Sequence, residues 1–309
     1  MTAFQNRVLV TGGCGFIGTN LVRRLNKEDR EIIILDNLSS GQKENVQQFC
    51  QELIEGDILD SNLVNEITKN ISTIIHLAAH TDVIKSIENP KNDFNANVLG
   101  TFNLLRSAVV SGVKKFVFAS TGAVLGEVVP PVHEGIVPRP LSPYGASKMA
   151  CEGYLSAFTH SYGLQTVSLR FSNVYGPFSG HKTSVIAKFI GLLKNGKKLF
   201  IYGDGKQTRD FLYVDDLIDA IIAVEKVDLY GEIFQIASGV ETDIYSLAKL
   251  IKKLAGKDVE IVFTEKRKGE VHKNYACIDK AKKILNFHPK ISLEEGIKKT
   301  LSWFENSGF

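Results

Sequence analysis

The chain has 309 residues, of which 44% are hydrophobic and 23% charged, the usual composition of a globular protein with one large or two moderate domains. The formal net charge of +3 is too small to indicate a nucleic-acid or membrane partner. No apolar run reaches the ~18 residues of a membrane-spanning helix, and no signal-peptide pattern precedes the first predicted strand. The four cysteines form no CxxC pair, so we expect free thiols and a cytoplasmic location.

Strand and helix signals alternate through the first half of the chain. This alternation predicts a parallel sheet with helices on both faces. Several of the strands are apolar throughout, as expected for strands that are buried on both sides. The predicted strands are 7–10, 31–35, 52–54, 73–77, 115–120 and 166–171, and the predicted helices are 16–26, 43–50, 61–69, 90–111 and 143–162.

Helical patterns dominate after about residue 172, without a Pro-, Gly- or Ser-rich linker. We therefore predict a first domain over residues 1–171 and a smaller, mostly helical substrate lobe over 172–309, with a cleft between them. Segments near 210–237 are expected to return to the first domain. The predicted helices are 184–195, 215–224, 244–255, 279–285 and 293–304, and the short strands are 199–201, 232–236 and 260–263.

A glycine-rich turn joins the first strand to the first helix. The sequence VLVTGGCGFIG starts at Val8. Its Gly13, Gly15 and Gly18 match the dinucleotide-binding fingerprint, and Gly12, Gly15 and Gly18 give a second glycine frame. Glycine is needed there because the turn is tight, the backbone approaches a pyrophosphate, and the helix packs closely on the strand. The free N–H groups of the helix N-terminus would then bind the phosphates. The sequence predicts an α/β protein with a Rossmann-type, doubly wound parallel sheet.

The cofactor can be predicted from the end of the second strand. Asp36 lies 18 positions after Gly18, where an acid binds the ribose hydroxyls of a dinucleotide. The same carboxylate would repel a 2′-phosphate, and Asn37, Ser39 and Ser40 supply no arginine to receive one. We therefore predict NAD rather than NADP.

The strongest catalytic signal is the pair formed by Tyr144 and Lys148. The two residues stand four apart in YGASK, so they share one face of a predicted helix. A free tyrosine has a pKa near ~10, and a neighbouring ammonium with a cationic nicotinamide would favour the phenolate. Thr121, at the end of a strand, would bond the substrate oxygen whose proton Tyr144 removes. The alternatives are a surface Tyr–Lys pair and a capping role for Thr121.

Two other residue patterns, those of a metal site and of a hydrolase, are not supported by the sequence. His76 and His80 are four residues apart but lie at a strand end without the glutamate of an HExxH motif, so we expect no metal site. No Gly-x-Ser-x-Gly elbow of a hydrolase is present.

Over essentially its whole length, the chain resembles the extended short-chain dehydrogenase/reductases of the nucleotide-sugar epimerase/dehydratase family, and among them most of all the UDP-glucose 4-epimerases. The resemblance assigns catalysis to Thr121, Tyr144 and Lys148. It implies cofactor contacts from Gly12, Gly15, Phe16, Ile17, Gly18, Asp36, Asn37, Ser39, Ser40, Gly41, Asp57, Ile58, Leu77, Ala78, Ala79, Asn97, Ser120, Tyr144, Lys148 and Phe171. It implies substrate contacts from Thr121, Tyr144, Asn173, Arg209, Arg267 and Asn274, with the two arginines on the diphosphate.

The activity implied by the resemblance is 4-epimerisation of a nucleoside-diphosphate sugar through a 4-keto intermediate, in a homodimer built from two helices per subunit. A 4,6-dehydratase or decarboxylase of the same family is the nearest alternative. In the dehydratases Asp and Glu follow the catalytic Thr, whereas Gly122 and Ala123 follow Thr121 here. A second alternative is a catalytically silent NAD-binding sensor or scaffold.

Two positions depart from the family pattern. Leu125 stands where members often carry Tyr, which removes a hydroxyl near the sugar. Asn274 stands at a gatekeeper position of variable size, and its small side chain predicts room for an N-acetyl or other bulky 2-substituent.

Overall fold

The protein is described from a computed structural model that covers residues 6–266 and 272–307. The chain divides into two compact units. The first unit comprises residues 1–127, 134–171 and 220–234, and the second comprises 128–133, 172–219 and 235–309.

A seven-stranded sheet forms the centre of the first unit, in the order β11-β6-β5-β4-β1-β2-β3. Strands β1 to β6 pair in parallel and follow the doubly wound order, which reverses beside β1. The seven strands are β1 (Arg7–Thr11), β2 (Glu31–Asp36), β3 (Glu52–Glu55), β4 (Thr73–His76), β5 (Lys115–Thr121), β6 (Gln165–Phe171) and β11 (Glu232–Ile236).

The other strands form three two-stranded sheets, β7 with β10, β9 with β12, and β8 with β13. Their bounds are β7 (Asn173–Tyr175), β8 (Leu199–Tyr202), β9 (Thr208–Arg209), β10 (Phe211–Tyr213), β12 (Thr242–Asp243) and β13 (Ile261–Thr264). The helices are α1 (Phe16–Asn26), α2 (Ser61–Ile67), α3 (Val83–Glu88), α4 (Pro90–Phe94), α5 (Gly100–Val110), α6 (Pro143–Tyr162), α7 (Val185–Lys194), α8 (Val214–Glu225), α9 (Ile244–Leu254), α10 (Asp279–Leu285) and α11 (Leu293–Asn306).

Helix α6 has clear start and stop signals in the sequence. The Ser142 hydroxyl accepts a hydrogen bond from the Gly145 amide at 3.2 Å, and Pro143 occupies the first turn, where it needs no hydrogen-bond partner. The helix ends at Gly163, whose φ of 73° is left-handed and suits glycine. These signals place the Tyr144 turn at the carboxyl end of the sheet.

The predicted α/β fold with a doubly wound parallel sheet is confirmed, and the structure differs from the sequence predictions in three local details. The segment 43–50 forms two 3₁₀ turns rather than a helix, because buried Val46 leaves the helical region with φ −130°. The predicted helix 90–111 is interrupted by a π-helical turn at Asn95–Leu99. Helix α3 was not predicted, because its apolar residues Ile84 and Ile87 are exposed and give no core-facing pattern.

Within the described part of the chain, none of the helices combines the length and the apolar character needed to cross a bilayer.

Candidate active site

The glycine turn after β1 has no room for side chains. Gly12 has a φ of 70°, and a Cβ there would lie 2.7 Å from the Ala78 amide nitrogen. A Cβ on Gly18 would collide with the Gly12 carbonyl oxygen, so α1 packs directly against the turn. A Cβ on Gly15 would lie 3.3 Å from one backbone oxygen and would touch nothing else within 4 Å. The first turn of α1 holds no acidic residue. This open, positively polarised helix end, which continues into Phe16 and Ile17, fits a pyrophosphate.

Asp36 organises the loop that follows β2. Its carboxylate accepts hydrogen bonds from the Cys14 amide at 2.9 Å and the Leu38 amide at 2.8 Å. Gly41 packs against Cys14, where a Cβ would clash. Ser39 and Ser40 are exposed beside this loop. The buried carboxylate lies next to the glycine turn, which suits hydrogen bonding to a ribose and disfavours a 2′-phosphate.

The predicted adenine side is formed by two polar residues and one core residue. Asn37 donates from its amide to the Asp57 carboxylate at 2.9 Å, and Asp57 also accepts from the Leu59 amide. Ile58 is 7% exposed and belongs to the hydrophobic core, where it packs against Gly100. The Ile58 side chain therefore supports this surface from beneath.

Asn97 lies in the π-helical turn and holds the loop after β4. Its side-chain oxygen accepts from the His80 amide at 2.9 Å, and its side-chain nitrogen donates to the His80 carbonyl at 3.0 Å. Leu77, Ala78 and Ala79, which precede His80, are half-buried beside the glycine turn. The structure thus gives Asn97 the task of orienting the loop that was predicted to line the cofactor.

The Thr121 hydroxyl lies close enough to the Tyr144 phenol to act on its pKa as a hydrogen-bonding group. Burial raises the pKa of Tyr144 to about 12, and the Thr121 hydroxyl opposes that rise. The Thr121 hydroxyl also caps the 3₁₀ turn Gly122–Val124, since it accepts from the Ala123 amide at 3.1 Å. Thr121 therefore caps this turn and also lies beside the phenol of the candidate catalytic tyrosine.

Lys148 is 3% exposed and lies one helical turn after Tyr144. Its ammonium donates to the Ala119 carbonyl at 2.9 Å and lies 4.5 Å from the centroid of the Phe118 ring. Burial lowers the pKa of Lys148 to about 8, and the neighbouring Cys151, Asp93 and Glu152 act in the opposite direction. Lys148 can therefore gain or lose its charge near physiological pH.

A buried ion pair lies one turn beyond Lys148, and the sequence did not reveal it. Glu152 accepts two hydrogen bonds from Arg170, at 2.9 and 2.7 Å, and a third from the Ser120 hydroxyl at 2.6 Å. The side chains of Glu152 and Arg170 are 4% and 2% exposed. The pair fixes α6 against β5 and β6, and it uses the hydroxyl of Ser120. Phe171, which follows Arg170, is half-buried at the end of β6.

His76 is a packed residue. Both ring nitrogens are hydrogen-bonded, Nδ1 to Thr11 at 2.6 Å and Nε2 to Thr101 at 2.9 Å. Burial lowers its pKa well below the usual range, so the ring is neutral. No group of three or more candidate metal ligands occurs among residues 6–266 and 272–307.

The second unit contains a cavity of about 220 Å³ that brings Asn173 and Arg209 together. Asn173 is held by Asp210, whose carbonyl accepts from the Asn173 backbone amide at 3.0 Å and from its side chain at 3.2 Å. The ammonium of Lys188 lies 5.5 Å from the centroid of the Tyr202 ring. The lining also includes five aromatic side chains: Tyr175, Phe189, Phe200, Tyr202 and Phe211.

The remaining predicted positions lie elsewhere. Asn274 is half-buried and is not part of the lining of this cavity. Arg267 lies outside the described residues. Leu125 is 1% exposed, so the side chain at this departure from the family pattern is part of the protein interior.

Comparison with known proteins agrees with this geometry. Residues 8–237 match the profile of the NAD dependent epimerase/dehydratase family. The chain belongs to this family. Its cofactor is NAD, and the glycine turn and the Asp36 carboxylate have the chemistry that NAD requires.

Three relatives show the extent of the similarity. The UDP-glucose 4-epimerase of Mycolicibacterium smegmatis is 35% identical over 309 residues, which cover 97% of this chain and 99% of that protein. The structure of a Thermotoga maritima UDP-glucose 4-epimerase with UDP-glucose superposes with a TM-score of 0.94 at 38% identity, covering 98% and 100% of the two chains. A Bacillus cereus UDP-glucuronic acid 4-epimerase, in complex with UDP-glucuronic acid and NAD, gives a TM-score of 0.91 at 28% identity, covering 97% and 99%.

Proposed function

We propose that the protein is an NAD-dependent 4-epimerase of a UDP-sugar. The observation that carries this proposal is the buried Tyr144 phenol, beside a Thr121 hydroxyl that lowers its pKa and with Lys148 one helical turn away. Bound NAD supplies a hydride acceptor and donor at C4 of the sugar. The protein supplies the acid–base chemistry at the C4 oxygen.

Tyr144 removes the proton from the sugar 4-hydroxyl and later returns it. Burial alone would keep the phenol protonated, so the phenolate needs compensating interactions. Thr121 supplies one through its hydroxyl. Lys148 supplies a second when its ammonium is charged, and together they make general acid–base catalysis by a tyrosine feasible.

The diphosphate is proposed to bind at Arg209, with Asn173 and the aromatic cavity receiving the nucleoside. A planar, permanently charged guanidinium suits a diphosphate, and aromatic faces suit a pyrimidine base. Arg267 is the second proposed diphosphate ligand. Binding energy at the nucleotide is remote from C4, so the keto sugar can turn over while it stays tethered.

The chain lacks the two acidic residues that follow the catalytic Thr in the dehydratases. The two residues after Thr121 are Gly122 and Ala123, in a 3₁₀ turn where a Cβ on Gly122 would meet nothing within 4 Å. Elimination across C5 and C6 needs an acid–base pair that these residues cannot form. This favours epimerisation.

The decisive experiment is a product assay. Purified protein is incubated with UDP-glucose, UDP-N-acetylglucosamine and UDP-glucuronate, and the sugars are identified by proton NMR. We expect a galacto-configured product without net formation of NADH. A 4-keto-6-deoxy or pentose product would assign the chain to the dehydratases or decarboxylases. If none of the three sugars turned over while NAD bound, a silent NAD-binding role would replace the proposal.

The cofactor preference has its own test. We expect NAD to bind more tightly than NADP in calorimetric titrations, because Asp36 repels the 2′-phosphate. Tighter binding of NADP would contradict the role of Asp36.

The 2-substituent of the sugar is proposed to be limited at Asn274. Because Asn is small, we expect UDP-N-acetylglucosamine to be accepted, and Asn274→Tyr to lower its turnover relative to UDP-glucose. An unchanged ratio of the two turnovers would remove Asn274 from the specificity site.

We propose further that the protein works as a cytoplasmic homodimer joined through α5 and α6. The described cysteines are free thiols, which suits a reducing compartment. Val110 and Tyr162 are 85% and 61% exposed beside a largely apolar cavity of about 440 Å³ on these two helices. Sedimentation velocity of the wild type and Val110→Lys tests this. We expect a dimer that the charge dissociates, whereas a wild-type monomer would contradict the proposal.

A further inference from the structure

The buried residue Asp93 connects two parts of the candidate active site and has no role in the proposed chemistry. It lies in α4 and is 3% exposed. One carboxylate oxygen accepts from the Ser147 hydroxyl at 2.6 Å, and the other accepts from the Asn97 side-chain amide at 2.9 Å. Each oxygen therefore has a donor from a different element.

Both partners of Asp93 are close to functional groups. Ser147 lies on α6 between Tyr144 and Lys148, so holding its hydroxyl fixes the rotation of the catalytic turn. Asn97 lies in the π-helical turn and orients the His80 loop through two further hydrogen bonds. Interruptions of this kind in helices occur often at functional sites.

A buried carboxylate is a costly means of joining two helices. Within residues 6–266 and 272–307, no basic group lies within ion-pair distance of Asp93, and the Lys148 ammonium acts on it from farther away. A well-packed apolar residue would hold the elements together at lower cost. The carboxylate is therefore explained better by orientation of its two donors, and by its charge, than by stability.

We propose that Asp93 is a positioning residue, whose carboxylate sets the Tyr144–Lys148 turn and the Asn97 amide in register with each other for the reaction. This inference rests on the proposed function.

The charge of Asp93 acts on both Tyr144 and Lys148, and it adds to the effect of burial in raising the pKa of the Tyr144 phenol. Burial lowers the pKa of Lys148 to about 8, and Cys151, Asp93 and Glu152 raise it. On the β4 side Lys148 faces His76, which is neutral. Asp93 is thus one of the groups that keep the ammonium charged at neutral pH, and it acts from a helix other than α6.

Two substitutions separate position from charge. Asp93→Asn removes the charge and replaces one of the two acceptor oxygens by an amide donor, whereas Ser147→Ala breaks the α6 contact but keeps the charge. We expect both to lower kcat by about tenfold or more while the KM for the UDP-sugar stays within about twofold. The alkaline limb of the kcat–pH profile should move to lower pH by about half a unit or more in Asp93→Asn, and should stay in place in Ser147→Ala.

A readout independent of turnover is the affinity for NAD, measured by calorimetry. We expect both variants to weaken NAD binding by about fivefold, because Lys148 and the His80 loop lose their orientation. The variant that carries both substitutions should bind NAD no more weakly than Asp93→Asn alone, since both changes affect the contact between Asp93 and Ser147.

Asp216 provides a matched control. It is also 3% exposed, and its carboxylate accepts from two backbone amides, those of Lys290 and Ile291, at 2.9 and 3.1 Å. Asp216→Asn should lower the Tm but leave kcat, the alkaline limb and NAD affinity unchanged.

The outcomes are distinct. Wild-type kcat, pH profile and NAD affinity in a folded Asp93→Asn would overturn the proposal, and so would the same losses in Asp216→Asn. If Asp93→Asn does not fold, Ser147→Ala decides by the same measurements. If the wild type epimerises no UDP-sugar, the proposed function fails and the NAD titrations alone decide the role of Asp93.

Discussion

The candidate reacting groups and the candidate nucleotide cavity differ sharply in how they are built. Tyr144 and Lys148 are 9% and 3% exposed, and their surroundings are hydrogen-bonded at 2.6–3.2 Å through Ser86, Ser120 and Ala119. The lining of the cavity with Arg209 combines buried side chains, such as Phe189 at 2% exposed, with accessible ones, such as Phe200 at 39% exposed. The candidate reacting groups are buried and held by hydrogen bonds, whereas Asn173 and Arg209, the candidate nucleotide ligands, are half-buried at the cavity.

This difference follows from the two tasks. Proton transfer needs shifted pKa values, which desolvation provides, and a fixed geometry, which buried hydrogen bonds provide. Binding a large charged ligand needs an accessible surface with complementary groups. The contrast predicts that substitutions at the two places affect different kinetic constants.

The largest expected effect comes from the phenol. Tyr144→Phe removes the acid–base group, and we expect kcat to fall by about 10³-fold while UDP affinity stays within about twofold. Steady-state kinetics and UDP titration calorimetry measure the two quantities. Tyr162→Phe, on the same helix but 61% exposed, is the matched control and should be neutral. Equal losses in the two variants would contradict the assignment.

A free-energy change of comparable size, in stability rather than in kcat, is expected from loss of the ion pair between Arg170 and Glu152. Arg170→Met leaves the Glu152 carboxylate buried without its partner, and we expect a loss of about 3–5 kcal/mol in the free energy of unfolding. Urea denaturation measures this loss. Lys298→Met, which breaks an exposed pair with Glu294, is the control and should change little. A small loss in Arg170→Met would show that the pair is not needed for stability.

A smaller effect, on the KM for the substrate rather than on kcat, is expected at the cavity. Arg209→Met should raise the KM for the UDP-sugar by about 10- to 30-fold, because a charge-assisted contact to the diphosphate is lost. The kcat value and NAD affinity should remain within about threefold, since the acid–base groups are intact. Lys206→Met, an exposed cation three residues earlier, is the control. A fall in kcat without a change in KM would contradict the separation of the two tasks.

The smallest effect is the dependence on pH. The pKa of Lys148 is lowered from 10.5 to about 8, so kcat should decline as pH rises above about 8. The effect on stability has the opposite sign. Between pH 8 and 10.5 the unfolded chain binds the proton and the folded chain does not, so this group makes the free energy of unfolding rise with pH. Measurements of kcat and of Tm as functions of pH, with Lys148→Met as the reference, test the predicted fall in activity and the predicted rise in stability.

Much of the site could be predicted from local sequence. Helices α1, α6 and α10 have the predicted bounds, because capping residues and apolar periodicity act within a turn of the chain. The glycine turn and the acid after β2 are also local patterns. The pairing of Tyr144 with Lys148 needs nothing beyond the four-residue spacing of a helix.

The contacts that hold this site together were decided by the tertiary structure. Asp93 meets Ser147 across 54 residues, and Glu152 meets Ser120 across 32, so no pattern within one helix or strand reveals either contact. The strands of two or three residues, such as β9, are too short to show a periodicity. Local sequence determined which groups could react, because it encodes the backbone over a few residues. Their burial, and therefore their pKa values and orientation, arises when distant segments pack together.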